Sequence, residues 1–97
     1  MPLETSITNN ILTYLNKIPG CVAEKVMGNA FQKDRPDING CWRGKSFRIE
    51  VKSPDHDNQP TKGQLLDLKK WSKAGAICFV AYSLMDVKTR ITKERCE

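Results

Sequence analysis

Asp37, Glu50 and Lys52 are the residues of this chain whose types and spacing could do chemistry together. Asp37 follows Pro36, and thirteen residues later comes Glu50-Val51-Lys52. Between Lys45 and Lys52 apolar and charged residues alternate, with Phe47, Ile49 and Val51 set against Arg48, Glu50 and Lys52. That period of two predicts a half-buried strand. Successive strand side chains point to opposite faces, so Glu50 and Lys52 share one face while Phe47, Ile49 and Val51 enter a core. Arg43-Gly44 fits a tight turn, which makes Asp37 to Trp42 an antiparallel neighbour and carries Asp37 back toward Glu50 and Lys52. Two carboxylates and an amine then converge. Their oxygens suit a hard divalent cation, and the ammonium can neutralise an anion beside it.

Pro36-Asp37 followed by Glu50-Val51-Lys52, with Gln64 at the start of a downstream helix, resembles the PD-(D/E)xK nuclease superfamily. Within it, the sequence is most similar to the stand-alone VRR-NUC (virus-type replication-repair nuclease) domains of phages. The resemblance runs from Glu4 to Tyr82. It implies an α/β fold with a restriction-endonuclease-like αβββαβ core, a mixed central sheet flanked by helices. It also implies a DNA endonuclease that depends on Mg²⁺ or Mn²⁺, cleaves branched DNA such as four-way Holliday junctions, and works as a homodimer. In that pattern Asp37 and Glu50 hold the metal. Glu4 in the first helix is a third ligand, and the Val51 backbone carbonyl is an extra one. Lys52 orients water and neutralises phosphate charge; whether it is also a general base stays open. Gln64 lies near the scissile phosphate. Read from charge and position rather than from that pattern, Lys25, Lys33, Arg35 and Lys62 are the expected DNA contacts.

Several of these residues have plainer readings. Glu4 in a first helical turn interacts favourably with the helix dipole. Gln64 stands three residues after Thr61, as a capping box requires. Lys25, Lys33 and Arg35 are equally readable as solvated cations. A solvated loop is the reading for Asp55, His56 and Asp57, since no second cluster of ligands accompanies them.

The elements that must position the site follow in order. Leu3, Ile7, Ile11, Tyr14, Leu15 and Ile18 recur at steps of three and four, predicting an amphipathic helix from Leu3 to Ile18 stopped by Pro19-Gly20. Cys21 to Met27 reads as a strand with Val22 and Val26 inward, and residues 28–35 as a loop. After the central hairpin and a second loop, a helix capped by Thr61 runs through Leu65, Leu68 and Trp71 to Gly75. Ala76 to Tyr82 is nearly continuous apolar sequence and suits a strand buried on both faces, reached by a crossover. Ser83 to Asp86 resembles another helix start; the basic tail beyond it is open between a short helix, a dimer contact and disorder.

Ninety-seven residues suit one domain with a modest core, for which docking against a second copy would bury more apolar surface. Sixteen basic against 11 acidic residues leave a net charge of +5, which favours a polyanionic partner as well as solubility. The four cysteines lack short Cys-x-x-Cys spacing, and reduced thiols in a cytoplasmic protein without a membrane span are expected. The rival function is a non-catalytic DNA-binding or assembly module on a nuclease-like fold. A flap or nicking nuclease would share the same chemistry.

Overall fold

The protein is described from a computed structural model, over residues 3–26, 36–54 and 59–95. Helix α1 (Leu3–Asn16) leads into strands β1 (Cys21–Lys25), β2 (Ile38–Trp42) and β3 (Lys45–Val51). Helix α2 (Lys62–Lys73), strand β4 (Ile77–Ala81) and helix α3 (Leu84–Arg95) follow. The four strands form one sheet in the order β1-β2-β3-β4. The first three are antiparallel neighbours, and β4 lies parallel to β3. A parallel pair needs a crossover, which α2 supplies. The αβββαβ order and the mixed sheet read from the sequence are therefore present, with α3 appended.

Register divides the sheet into two unlike faces. Phe47, Ile49 and Val51 stand beside Gly40, Ile38, Ile77, Phe79 and Ala81 on one face. There Ile11 and Leu15 of α1 and Val87 and Ile91 of α3 close a core in which Phe47 and Ile49 are fully buried. Gly40 leaves room for the Phe47 ring: a Cβ at that position would lie 2.0 Å from Phe47 Cζ and 2.6 Å from the Val22 carbonyl oxygen. The other face carries Arg48, Glu50, Asn39 and Cys78, and α2 packs over its β3–β4 half with Leu68 buried. Val22, Glu24 and Cys41 are exposed on the remaining half.

Several sequence expectations change here. α1 ends at Asn16 rather than Ile18, because the Asn16 amide turns to β1: its Nδ2 donates to the Ala23 carbonyl at 3.0 Å and its Oδ1 accepts from the Ala23 N–H at 2.9 Å. Ala23 and Cys21 thus face α1, and period two sends Val22 to the other face, where it is 69% exposed instead of inward. β4 forms the outer edge of the sheet, so Cys78, Phe79 and Val80 are only half-buried and the expected burial on both faces fails. On α2 the contact stripe is narrow; Leu68 enters it, while Leu65 and Trp71 stay exposed. The basic C-terminal stretch is helix through Arg95, anchored by Val87 and Ile91. Met27, Lys33, Arg35, Asp55, His56 and Asp57 lie outside the described residues.

The hairpin turn agrees with the sequence, at a cost. Arg43 and Gly44 both have positive φ, 51° and 85°, as a two-residue primed turn requires. Arginine adopts that conformation reluctantly, whereas Asn-Gly is the favoured pair. Arg43→Asn is expected to stabilise the protein by about 0.5–1 kcal/mol, measured by chemical denaturation. An unchanged or lower midpoint would show that the arginine side chain compensates for its backbone.

Candidate active site

The site forms at one end of the sheet. β2 begins there and β3 ends there, so Asp37, next to the first residue of β2, comes level with Glu50 near the last residue of β3. The Val51 N–H donates to Asp37 Oδ2 at 2.8 Å, fixing that carboxylate against the sheet. Glu50 is 2% exposed although it carries a carboxyl group. Lys52 follows directly after β3, its N–H donating to the Ala81 carbonyl at 3.0 Å and so extending the parallel pairing. Its Nζ stands 3.9 Å from Glu50 Oε1. The two carboxylates and the amine therefore do converge.

Gln64 joins them from above. Thr61 Oγ1 accepts from the Gln64 N–H at 3.1 Å, and Gln64 Oε1 accepts from the Thr61 N–H at 2.9 Å, closing the capping box. The other end of the same amide, Nε2, donates to Glu50 Oε1 at 3.4 Å. The capping reading and the site reading of Gln64 are thus compatible in one side chain. Glutamate can also close a capping box at this position, whereas alanine cannot. Gln64→Ala is expected to lower stability by about 1 kcal/mol. Gln64→Glu is expected to keep the helix cap while setting a second carboxylate against Glu50. A thermal melt separates the two variants, and equal losses would mean that the cap does not depend on this side chain.

The other expected residues lie at varying removes. Glu4 sits in the first turn of α1, which packs on the far face of the sheet. Its negative charge is felt at Glu50, yet among the described residues no group of three or more His, Cys, Asp or Glu is gathered closely enough to hold an ion. Asp37 and Glu50 are a pair, with Glu4 on the neighbouring helix α1. Lys25 is paired with Ile38, on the core face of the sheet rather than the Glu50 face. Lys62 is exposed on the first turn of α2.

No protein-family model matches this chain, and no curated protein does. Among solved structures, one described as a VRR_NUC domain matches with a TM-score of 0.74, 23% sequence identity, and coverage of 92% of this chain and 94% of that one. This chain has the VRR-NUC fold. At that identity the likeness is one of architecture, and it agrees with the sheet and helix order that the sequence resemblance implied.

On this VRR-NUC fold the electrostatics of the carboxylate pair are unbalanced. Burial first, then the closeness and negative charge of Asp37, push Glu50 up to about 9, against the downward pull of Lys52. Glu4 adds a further upward push. Glu50 Oε2 is buried and finds no hydrogen-bond donor. An orphaned carboxylate oxygen next to a second carboxylate needs either a proton or a cation. The donor set is all oxygen and therefore fits a hard divalent ion.

Sequence reasoning overlooks a second group of polar residues on the same face. Arg48 precedes Glu50 by two and shares its side of the strand, and its guanidinium lies 4.0 Å from the centre of the Trp71 ring. The alternation that singles out Glu50 and Lys52 also marks Arg48. Trp71 stands seven residues after Gln64, a helical spacing that places both on one side of α2.

Proposed function

We propose that this protein is a metal-dependent nuclease that hydrolyses phosphodiester bonds in DNA. The observation that carries the reading is the buried Glu50 carboxylate, with one oxygen unpartnered, flanked by Asp37, Lys52 and Gln64 on a VRR-NUC fold. Asp37 and Glu50 would hold the ion, with the Val51 carbonyl as a further oxygen and Glu4 adding negative charge nearby. Mg²⁺ or Mn²⁺ suits such a set; the bound ion supplies positive charge for the phosphoryl oxygens and eases deprotonation of the attacking water.

The chain's own groups do the rest. Lys52 sets an ammonium beside the phosphate, where it orients water and offsets negative charge. Gln64 steadies Glu50 through Nε2 and keeps the N-terminus of α2 in place. The surplus of basic residues draws in a polyanion, with Lys62, exposed on the first turn of α2, as a phosphate contact. Lys33 and Arg35 are proposed as further contacts from the connection between β1 and β2. The whole chain would act as one domain, and two copies would present paired sites to a branched substrate such as a four-way junction.

The test is a panel of labelled four-way junction, flap, single-stranded and plain duplex DNA at rising salt. Branched substrates are expected to be cut in preference to plain duplex. Binding should fall steeply with salt, the logarithm of affinity dropping linearly as phosphate contacts release counterions. Binding without cutting of any substrate, under either metal, would favour the non-catalytic module. A flat salt response would remove nucleic acid as the partner. No helix among the described residues is long and apolar enough to cross a membrane.

A further inference from the structure

Beside the carboxylates lies a polar cavity of about 380 Å³, lined by Pro36, Asn39, Arg48, Asp67, Lys70 and Trp71. Three atoms of its walls, Asn39 Oδ1, Arg48 Nε and Asp67 Oδ2, are buried without a hydrogen-bond partner. Buried polar atoms in folded proteins are nearly always paired, so three orphans around one cavity mark a place built to receive something. Arg48 and Asp67 carry opposite charges, yet no ion pair joins them among the described residues. Arg48 is instead held over the Trp71 ring. Each charge is kept apart from the other, facing the cavity.

The cavity also has a fixed place relative to the carboxylates. Arg48 and Glu50 are two residues apart on one strand face, about 6.7 Å. On the opposite wall Asp67 and Trp71 stand one and two helical turns beyond Gln64, which touches Glu50. Pro36 adjoins Asp37. The cavity thus lies one step along β3 and α2 from the carboxylates, at roughly the interval from one nucleotide to its neighbour.

We propose that this cavity takes one unpaired nucleobase, next to the phosphate held at Glu50; this rests on the nuclease reading above. Two buried acceptors and one buried donor call for a base edge with two N–H groups and an acceptor. Guanine presents N1–H, N2–H and O6 on its Watson–Crick edge, which satisfies Asn39 Oδ1, Asp67 Oδ2 and Arg48 Nε together. Adenine and cytosine offer an amino group beside a ring acceptor. Thymine offers a single N–H and leaves one acceptor unpaired. That edge is hidden in a duplex, so the base must be splayed out, as at the branch of a junction or flap. Trp71, 37% exposed, provides a surface for stacking, and Lys70 at the rim provides charge for the adjoining phosphate.

The experiment measures binding of the full chain in EDTA by fluorescence anisotropy. The probes are forked duplexes with one unpaired nucleotide at the branch: guanine, adenine, cytosine, thymine or an abasic site. Guanine is expected to bind about tenfold more tightly than thymine or the abasic site. Asn39→Ala and Asp67→Ala are each expected to collapse that ratio toward one, with circular dichroism melts checking the fold; the wild-type series alone decides if a variant does not fold. Equal affinity for all five probes would overturn the proposal and assign the cavity to ordered water. The same probes are then incubated with Mg²⁺ or Mn²⁺. Cutting without any base preference in binding removes the pocket and keeps the nuclease, whereas base-ordered binding without cutting keeps the pocket and removes the nuclease.

Discussion

Replacing Glu50 by glutamine is expected to stabilise the metal-free protein at pH 8 while abolishing cleavage. The sign follows from the two ionisation ranges. In the unfolded chain Glu50 titrates near the ordinary value of 4.5, whereas in the fold it is pushed up to about 9, chiefly by burial and by Asp37. As pH rises from 4.5 toward 9 the unfolded chain gives up its proton first, so the unfolded state is favoured. Stability carried by the protonated Glu50 is therefore complete below the lower value and is lost as pH climbs to the upper one. A tenfold difference in proton affinity between the folded and unfolded chain corresponds to about 1.4 kcal/mol. A loss on the order of 2 kcal/mol between pH 5 and pH 8 is expected, well under the full shift because the surroundings of a buried carboxyl relax around its charge. Glutamine cannot ionise, and Glu50→Gln should melt with a much flatter pH dependence. Adding Mg²⁺ at pH 8 should raise the wild-type melting temperature, with release of a proton, and affect the variant less. Parallel pH curves for the two proteins would show that Glu50 titrates normally and that the carboxylate pair is not poised for a cation.

A second large effect is expected away from the chemistry, at the pair Gly40 and Phe47. Phe47 is fully buried, and its ring occupies the volume that a side chain on its cross-strand neighbour would need. Phe47→Ala is expected to cost about 3–5 kcal/mol through lost burial and the cavity left behind. Gly40→Ala is expected to cost about 2–3 kcal/mol by overpacking, since both the ring and the Val22 carbonyl must move. Combining Gly40→Ala with Phe47→Leu makes room for the new methyl, so the double variant should be more stable than the sum of single losses predicts. Strict additivity in urea denaturation would mean that the two positions do not meet.

The features behind these expectations are unequally visible in the sequence. The alternation from Phe47 to Lys52 is sufficient to place Glu50 and Lys52 opposite the core, because a period of two leaves a strand no other register. Arg43-Gly44 announces its turn through the one residue type that accepts positive φ freely. Val22 is misplaced by pattern alone because β1 alternates weakly: Cys21, Val22 and Ala23 are all apolar enough for a core, and only the Asn16 bridge to Ala23 shows which side meets α1. β4 reads as buried on both faces because an apolar run does not reveal whether its strand lies at an edge of the sheet. The cavity by Arg48 is invisible for a different reason. Its walls come from β2, β3 and α2, and nothing local in any one of them records where α2 crosses the sheet. Gln64 is legible twice over, as cap and as site residue, and the structure reconciles the two through opposite ends of one amide.

The functional reading stands on Asp37, Glu50 and Lys52 forming a metal-dependent centre for cutting DNA. Its most direct test is cleavage of a labelled four-way junction by the wild type and by Glu50→Gln, with Mg²⁺, with Mn²⁺ and with EDTA. Cutting by the wild type is expected under either metal and none in EDTA, with a fall of at least about 10³-fold in the folded variant. Cutting that persists in EDTA, or that the variant retains at the wild-type rate, would contradict it.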